Sequence, residues 1–150
     1  MMVTKNFSRE EFTHSQTAAR RGIVNIPTEP QWLIITGLSE HILEPARDSI
    51  GPLKISSGFR CRELNEAIGG AARSDHQVLG DAAAADIVHA DLGDLFRFIY
   101  WLPWSKLIWE YGRWVHVSWS AAGPPPDRAP WIKDKSRNYE DLTYREIVDL

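Results

Sequence analysis

The sequence predicts an α+β fold, a small and mostly antiparallel sheet with helices packed on it. Three observations carry that expectation. Apolar residues recur at three- and four-residue spacing through residues 28–49, the period of one helix face. Short apolar runs of alternating character follow, the last two separated by a turn at Gly112. Helical segments come first and strands after them, which favours α+β over the regular alternation of a parallel α/β sheet.

The elements follow in order. Ser8-Arg9-Glu10-Glu11 has capping-box spacing, a hydroxyl followed three residues later by a carboxylate, and starts a short helix. Ser15 caps a second helix that runs through Ala18 and Ala19 and ends near Gly22. In the main helix, residues 28–49, Trp32, Ile35, Leu38, Ile42 and Ala46 share a face, and Pro45 predicts a kink or break. Gly51-Pro52 ends it, and Leu53 to Phe59 reads as a short strand. Glu63 to Ile68 supplies one or two helical turns stopped by Gly69-Gly70, and Ala84 to Val88 a second strand. Asp91 caps a helix from Leu92 to Trp101 that Pro103 stops. Lys106 to Tyr111 and Trp114 to Trp119 form two strands about the Gly112 turn. Gly123-Pro124-Pro125-Pro126 cannot lie inside a regular element, and Thr143 to Val148 predicts a last short helix.

Length and composition narrow the function. A chain of 150 residues, 43% hydrophobic and 25% charged, fits one globular domain spanning 1–150 with a real core. A net charge of −3 gives no global field for nucleic acid. The lone Cys61 excludes an intrachain disulfide and a thiolate-built zinc site, so a metal centre must use histidine and carboxylate. The start, MMVTKNFSREEF, lacks the apolar core of a signal peptide, and no run is long enough for a membrane span. A monomer made and kept in a cytoplasm, with no nucleic-acid or membrane partner, is expected.

The stretch Ser74-Asp75-His76-Gln77-Val78-Leu79-Gly80-Asp81-Ala82 continues through three alanines to Asp86. Its histidine and aspartate could form a metal-binding pair or an ordinary loop entering an ordinary strand. Of the five histidines, His14 and His41 have no visible partner, and His89 falls on the opposite strand face from Asp86. His116 differs. Val115, Val117 and Trp119 make one apolar face, while Trp114, His116 and Ser118 make the other, which suits a cleft floor. Glu110 precedes His116 by six residues. A two-residue turn would put them on opposite faces, whereas a three-residue loop, Tyr111-Gly112-Arg113, or a phase-restoring bulge puts them together. His76, Asp86 and His116 would then supply N, O and N to zinc, with Glu110 as general base. Trp114 would wall the substrate groove. Trp32 and Trp119 sit on apolar faces, Trp109 is expected in the core, and Trp101 and Trp104, flanking Pro103, could go either way.

Taken together, Ser-x-His, Gly-x-Ala, Asp and Trp-x-His-x-Ser resemble the zinc peptidases that cut peptidoglycan stems. These are the D-alanyl-D-alanine carboxypeptidases and the L-alanyl-D-glutamate endopeptidases, which share a core with hedgehog domains. Ile55-Ser56-Ser57-Gly58-Phe59-Arg60, Leu64-Asn65 and Gly69-Gly70 are similar to another family segment. Asn6-Phe7-Ser8, Glu11-Phe12 and Ser15-Gln16-Thr17-Ala18 resemble the amino-terminal stretch of its phage-type branch. The resemblance spans residues 6 to 119. It implies His76, Asp86 and His116 as zinc ligands, Glu110 as catalytic base, and Arg60 and Ser74 beside the substrate. Arg113, where other branches place the acid, could not act as a base. The loop from His76 to Asp86 carries three extra residues, one before Gly80 and two after Ala82, which leaves Asp81 as the rival ligand.

The resemblance implies zinc-dependent cleavage of peptidoglycan peptides, as an endopeptidase or a carboxypeptidase, in wall lysis or remodelling of the kind a phage lysin performs. A catalytically inactive zinc-containing binding or virion protein on the same fold is the alternative.

Overall fold

The computed structural model describes residues 1–150. A two-stranded ribbon, β1 (Met2–Thr4) and β2 (Phe7–Ser8), opens the chain and leads into α1 (Arg9–Thr13). The expected capping box forms, with Ser8 and Glu11 each bonding the other's backbone N–H. Ser15 caps α2 (Gln16–Arg21), which Gly22 ends in a left-handed conformation.

The main helix is continuous but not uniform. It begins as α3 (Glu29–Leu38), passes through a π-helical turn Ser39–Leu43, and continues as α4 (Glu44–Ile50). Pro45 has no N–H to give the carbonyl four residues back, and the turn before it widens. The Glu44 N–H reaches back five residues to Ser39 O. Thus Pro45 widens the helix rather than breaking it.

The remaining elements are β3 (Lys54–Ser57), α5 (Arg62–Ala67), β4 (Ala82–Val88), α6 (Leu92–Tyr100), β5 (Lys106–Glu110) and β6 (Trp114–Ser120). The tail adds β7 (Trp131–Lys133), β8 (Asn138–Asp141) and α7 (Tyr144–Val148). Six strands form one sheet in the order β3-β4-β6-β5-β7-β8. Every pairing is antiparallel except β5 with β7. The α+β expectation holds, although the terminal ribbon and the β7–β8 hairpin were not expected.

Alternation divides the sheet into two faces. Ala83, Ala85, Ile87, Leu107, Val115 and Val117 join Ile35, Leu38, Ile42, Leu95 and Phe96 in the core. The alanines of β4 are explained by close packing, since α3 lies against both β4 and β6. A Cβ added to Gly37 would come 2.2 Å from the Trp119 ring. Trp119 in turn stacks on His41 at 4.9 Å, so this histidine packs against the core's edge. Trp104 is buried, while Trp101 is 72% exposed. The opposite face of the sheet carries Asp86, His116, Ser118 and Glu110.

Candidate metal centre

Cross-strand register assembles the site. Asp86 on β4 pairs with His116 on β6, and His116 pairs with Ile108 on β5. Glu110 pairs with Trp114, leaving Tyr111, Gly112 and Arg113 as the loop. Tyr111 and Gly112 both take positive φ, 58° and 63°, and the Arg113 N–H bonds Glu110 O at 3.0 Å. The tight turn therefore spends one extra residue, Arg113, before pairing resumes. That residue restores the phase and puts Glu110 on the His116 face.

His76 arrives from a separate segment, a 3₁₀ turn Asp75–Gln77. Ser74 Oγ accepts the His76 N–H at 3.3 Å, so Ser74 shapes the turn as well as lining the cleft. Val78 closes the turn with φ of 51°. The Asp75 carboxylate pairs with Lys106 Nζ at 3.0 Å, and the Arg60 N–H bonds His76 O at 2.9 Å. These contacts fix a loop that sequence spacing alone leaves free.

His76, Asp86 and His116 are all buried and bring their ligand atoms within 4.8 Å of one another. Asp86 Oδ1 lies 3.2 Å from His76 Nε2 and 2.9 Å from His116 Nδ1. Donor atoms around a tetrahedral zinc sit about 3.3 Å apart, given bonds of about 2.0–2.1 Å. The hydrogen bonds show that these residues suit a cation. His76 Nδ1 is 2.7 Å from Gly58 O, which can only accept, so Nδ1 carries the proton. Burial pushes the His76 imidazole towards its neutral form, against the pull of Asp86. Its Nε2 then turns a lone pair towards a carboxylate oxygen, an arrangement a cation relieves. His116 Nε2 lies 3.0 Å from Ser118 Oγ, and the tautomer that donates to this hydroxyl presents Nδ1 to Asp86 in the same way. Gly58 O and Ser118 Oγ are thus the outer partners that metal-bound imidazoles usually need.

Burial opposes ionisation of Asp86, but imidazoles that carry a proton outweigh it and hold the carboxyl well below the usual carboxylate range; with His76 neutral, that stabilisation falls to a cation. Arg60 Nη2 approaches Asp86 Oδ2 at 3.5 Å. The guanidinium is held from behind by Ser57 Oγ at 3.1 Å and Asn65 Oδ1 at 3.3 Å. Burial and the nearby Asp86 charge push Glu110 above the ordinary carboxylate value.

A cleft of about 440 Å³ opens over these groups. Arg60, Ser74, Glu110 and Trp114 line it beside the His–Asp–His group. The buried Trp114 indole N–H meets no acceptor within hydrogen-bond distance. Asp81 stands outside the group; it borders an adjoining depression, and its carbonyl accepts the Ala121 N–H at 2.8 Å. His89 bonds Ile50 O and the Asp91 N–H, away from the cleft. Sequence reasoning placed Ser57 and Asn65 in the segments of resemblance but gave them no role, and it missed two aromatic walls from the tail, Trp131 and Tyr139.

A mixed sheet bearing a buried His–Asp–His group beneath an open cleft marks a protein built to hold a metal ion within reach of a ligand. The chain belongs to the Peptidase M15 family, whose model matches residues 5–118. Peptidases of this family are zinc-dependent, and the His–Asp–His group is positioned to bind the ion. Comparison with curated proteins found no match. No helix is long and apolar enough to cross a membrane.

Proposed function

We propose that this chain hydrolyses peptide bonds in peptidoglycan stem peptides, with His76, Asp86 and His116 holding zinc and Glu110 acting as general base. The carrying observation is the register that seats Glu110 beside His116 on one cleft floor. A bound zinc ion supplies Lewis acidity at the scissile carbonyl and acidifies water at the site.

Glu110 accepts a proton from the attacking water and returns it to the leaving amine nitrogen. Its raised proton affinity suits both steps better than an ordinary surface carboxylate would. Arg60, already oriented by Ser57 and Asn65, presents a fixed positive charge towards the developing oxyanion or a substrate carboxylate. Ser74 holds the His76 turn and offers a hydroxyl at the cleft. Trp114 forms part of the groove wall. Arg60 and Arg73 bring guanidinium groups to the cleft lining, where they complement the carboxylates of stem peptides. Action on the cell wall, as in lysis or remodelling, follows from that substrate.

The test is incubation of zinc-loaded protein with purified peptidoglycan, with and without chelator, followed by mass analysis of the products. The reading expects new amino and carboxyl termini within the stem, and none after chelation. A zinc-bound protein that leaves every stem peptide intact contradicts it and favours a binding role.

A further inference from the structure

The β7–β8 hairpin lies beyond the matched segment yet reaches the cleft. Ile108 pairs with His116 on one side and with Trp131 on the other. Trp131 therefore shares the face and cross-strand row of His116, two strands away, or about 10 Å along the sheet. Tyr139 meets Trp131 edge-on, with ring centroids 6.3 Å apart at 75°. Both line the cleft.

Two features point to a ligand. Tyr139 is the unpaired residue of a β-bulge and takes φ of 57°; bulges re-aim a side chain and are over-represented beside active sites. Polar groups also stand beside the rings. Lys133 Nζ bonds Asn138 Oδ1 at 2.8 Å and stands over the Tyr139 ring, 5.5 Å from its centroid. The Tyr139 phenol can both donate and accept. An apolar side chain would use the rings and leave these polar groups idle. A pyranose ring uses both, with its C–H face on the aromatics and its hydroxyls on the polar groups.

We propose that the β7–β8 hairpin is a saccharide-binding wall of the peptidase cleft, stacking the sugar that bears the stem peptide on Trp131 and Tyr139. This rests on the peptidoglycan reading above and adds a constraint to it. An extended chain advances about 3.3–3.6 Å per residue, so about 10 Å sets the cut within about three residues of the sugar.

The experiment compares kcat/KM for one stem peptide carrying either an N-acetylmuramoyl group or a plain acetyl group at its amino terminus. The wild type should prefer the muramoyl form about tenfold, the scale of one good aromatic contact. In Trp131→Ala, and separately in Tyr139→Ala, that ratio should fall close to one while zinc content stays at the wild-type level. Tyr139 is half exposed and outside the core, so its variant keeps the test usable if loss of Trp131 disturbs the hairpin. Calorimetric titration of metal-free protein with the muramoyl peptide supplies a readout independent of cleavage. Sugar-dependent binding that both variants lose upholds the wall even if the wild type cuts no stem peptide, which would sink only the peptidase reading. A wild-type ratio near one, or a ratio that survives both substitutions, overturns the wall.

Discussion

At the residue scale, Asp86 Oδ1 faces two imidazoles, one of which is held neutral by burial and by its bond to Gly58 O. Gly58 has no room for a side chain: an added Cβ would stand 2.5 Å from Phe12 O. Gly58→Ala must therefore shift the carbonyl that orients His76. We expect a loss of about 1–3 kcal/mol in denaturant unfolding and about 10–100-fold weaker zinc binding by competitive titration. Normal zinc affinity would show that His76 does not depend on that carbonyl. Glu110 offers a second test. Its folded pKa is raised, so the native state holds the proton more tightly than the unfolded chain, and stability falls as pH rises through that interval. The cost is fully present above the folded pKa and absent below the ordinary value of 4.5. Glu110→Gln should raise the melting temperature of metal-free protein at neutral pH, with the gain vanishing in acid. An equal gain at both pH values would mean that ionisation is not its cause.

At the scale of elements, α3 approaches the sheet closely because Gly37 gives way to the Trp119 ring. Stacking on His41 limits how far that ring can retreat. Gly37→Ala should cost about 1–3 kcal/mol by overpacking, read from the urea midpoint at unchanged slope. A variant as stable as wild type would show that the ring has room to retreat. The elements also show what the sequence made legible. The helix face of Trp32, Ile35, Leu38, Ile42 and Ala46 was readable because its spacing is local. So was the partnership of His116 with Glu110, once strand alternation was combined with loop length. The π-helical turn was visible only as a proline that ought to disturb something. The β7–β8 hairpin was hidden for a physical reason: its strands are only three and four residues long, too short to show alternation, and β7 joins the sheet by a parallel pairing with β5 that no adjacent turn announces. Trp131 consequently went unassigned, and Tyr139 with it.

At the scale of the whole molecule, the metal centre ties together segments that share little sequence neighbourhood: the loop at His76, the strand at Asp86 and the strand at His116. Zinc that binds only the folded chain should stabilise all of them at once, by about 2.7 kcal/mol at a hundredfold excess over Kd. Chelation should lower the melting temperature, zinc should restore it, and His116→Ala should abolish the zinc-dependent shift. A shift that persists in that variant would place the ion elsewhere. The central claim, that this centre and Glu110 form one hydrolytic machine, is met most directly by a paired measurement on wild type and Glu110→Gln. Zinc content and stem-peptide hydrolysis are read from the same samples. The account predicts equal zinc in both, cleavage by the wild type, and a rate about 10²–10⁴-fold lower in the variant. Full hydrolysis by a zinc-loaded Glu110→Gln protein would contradict it.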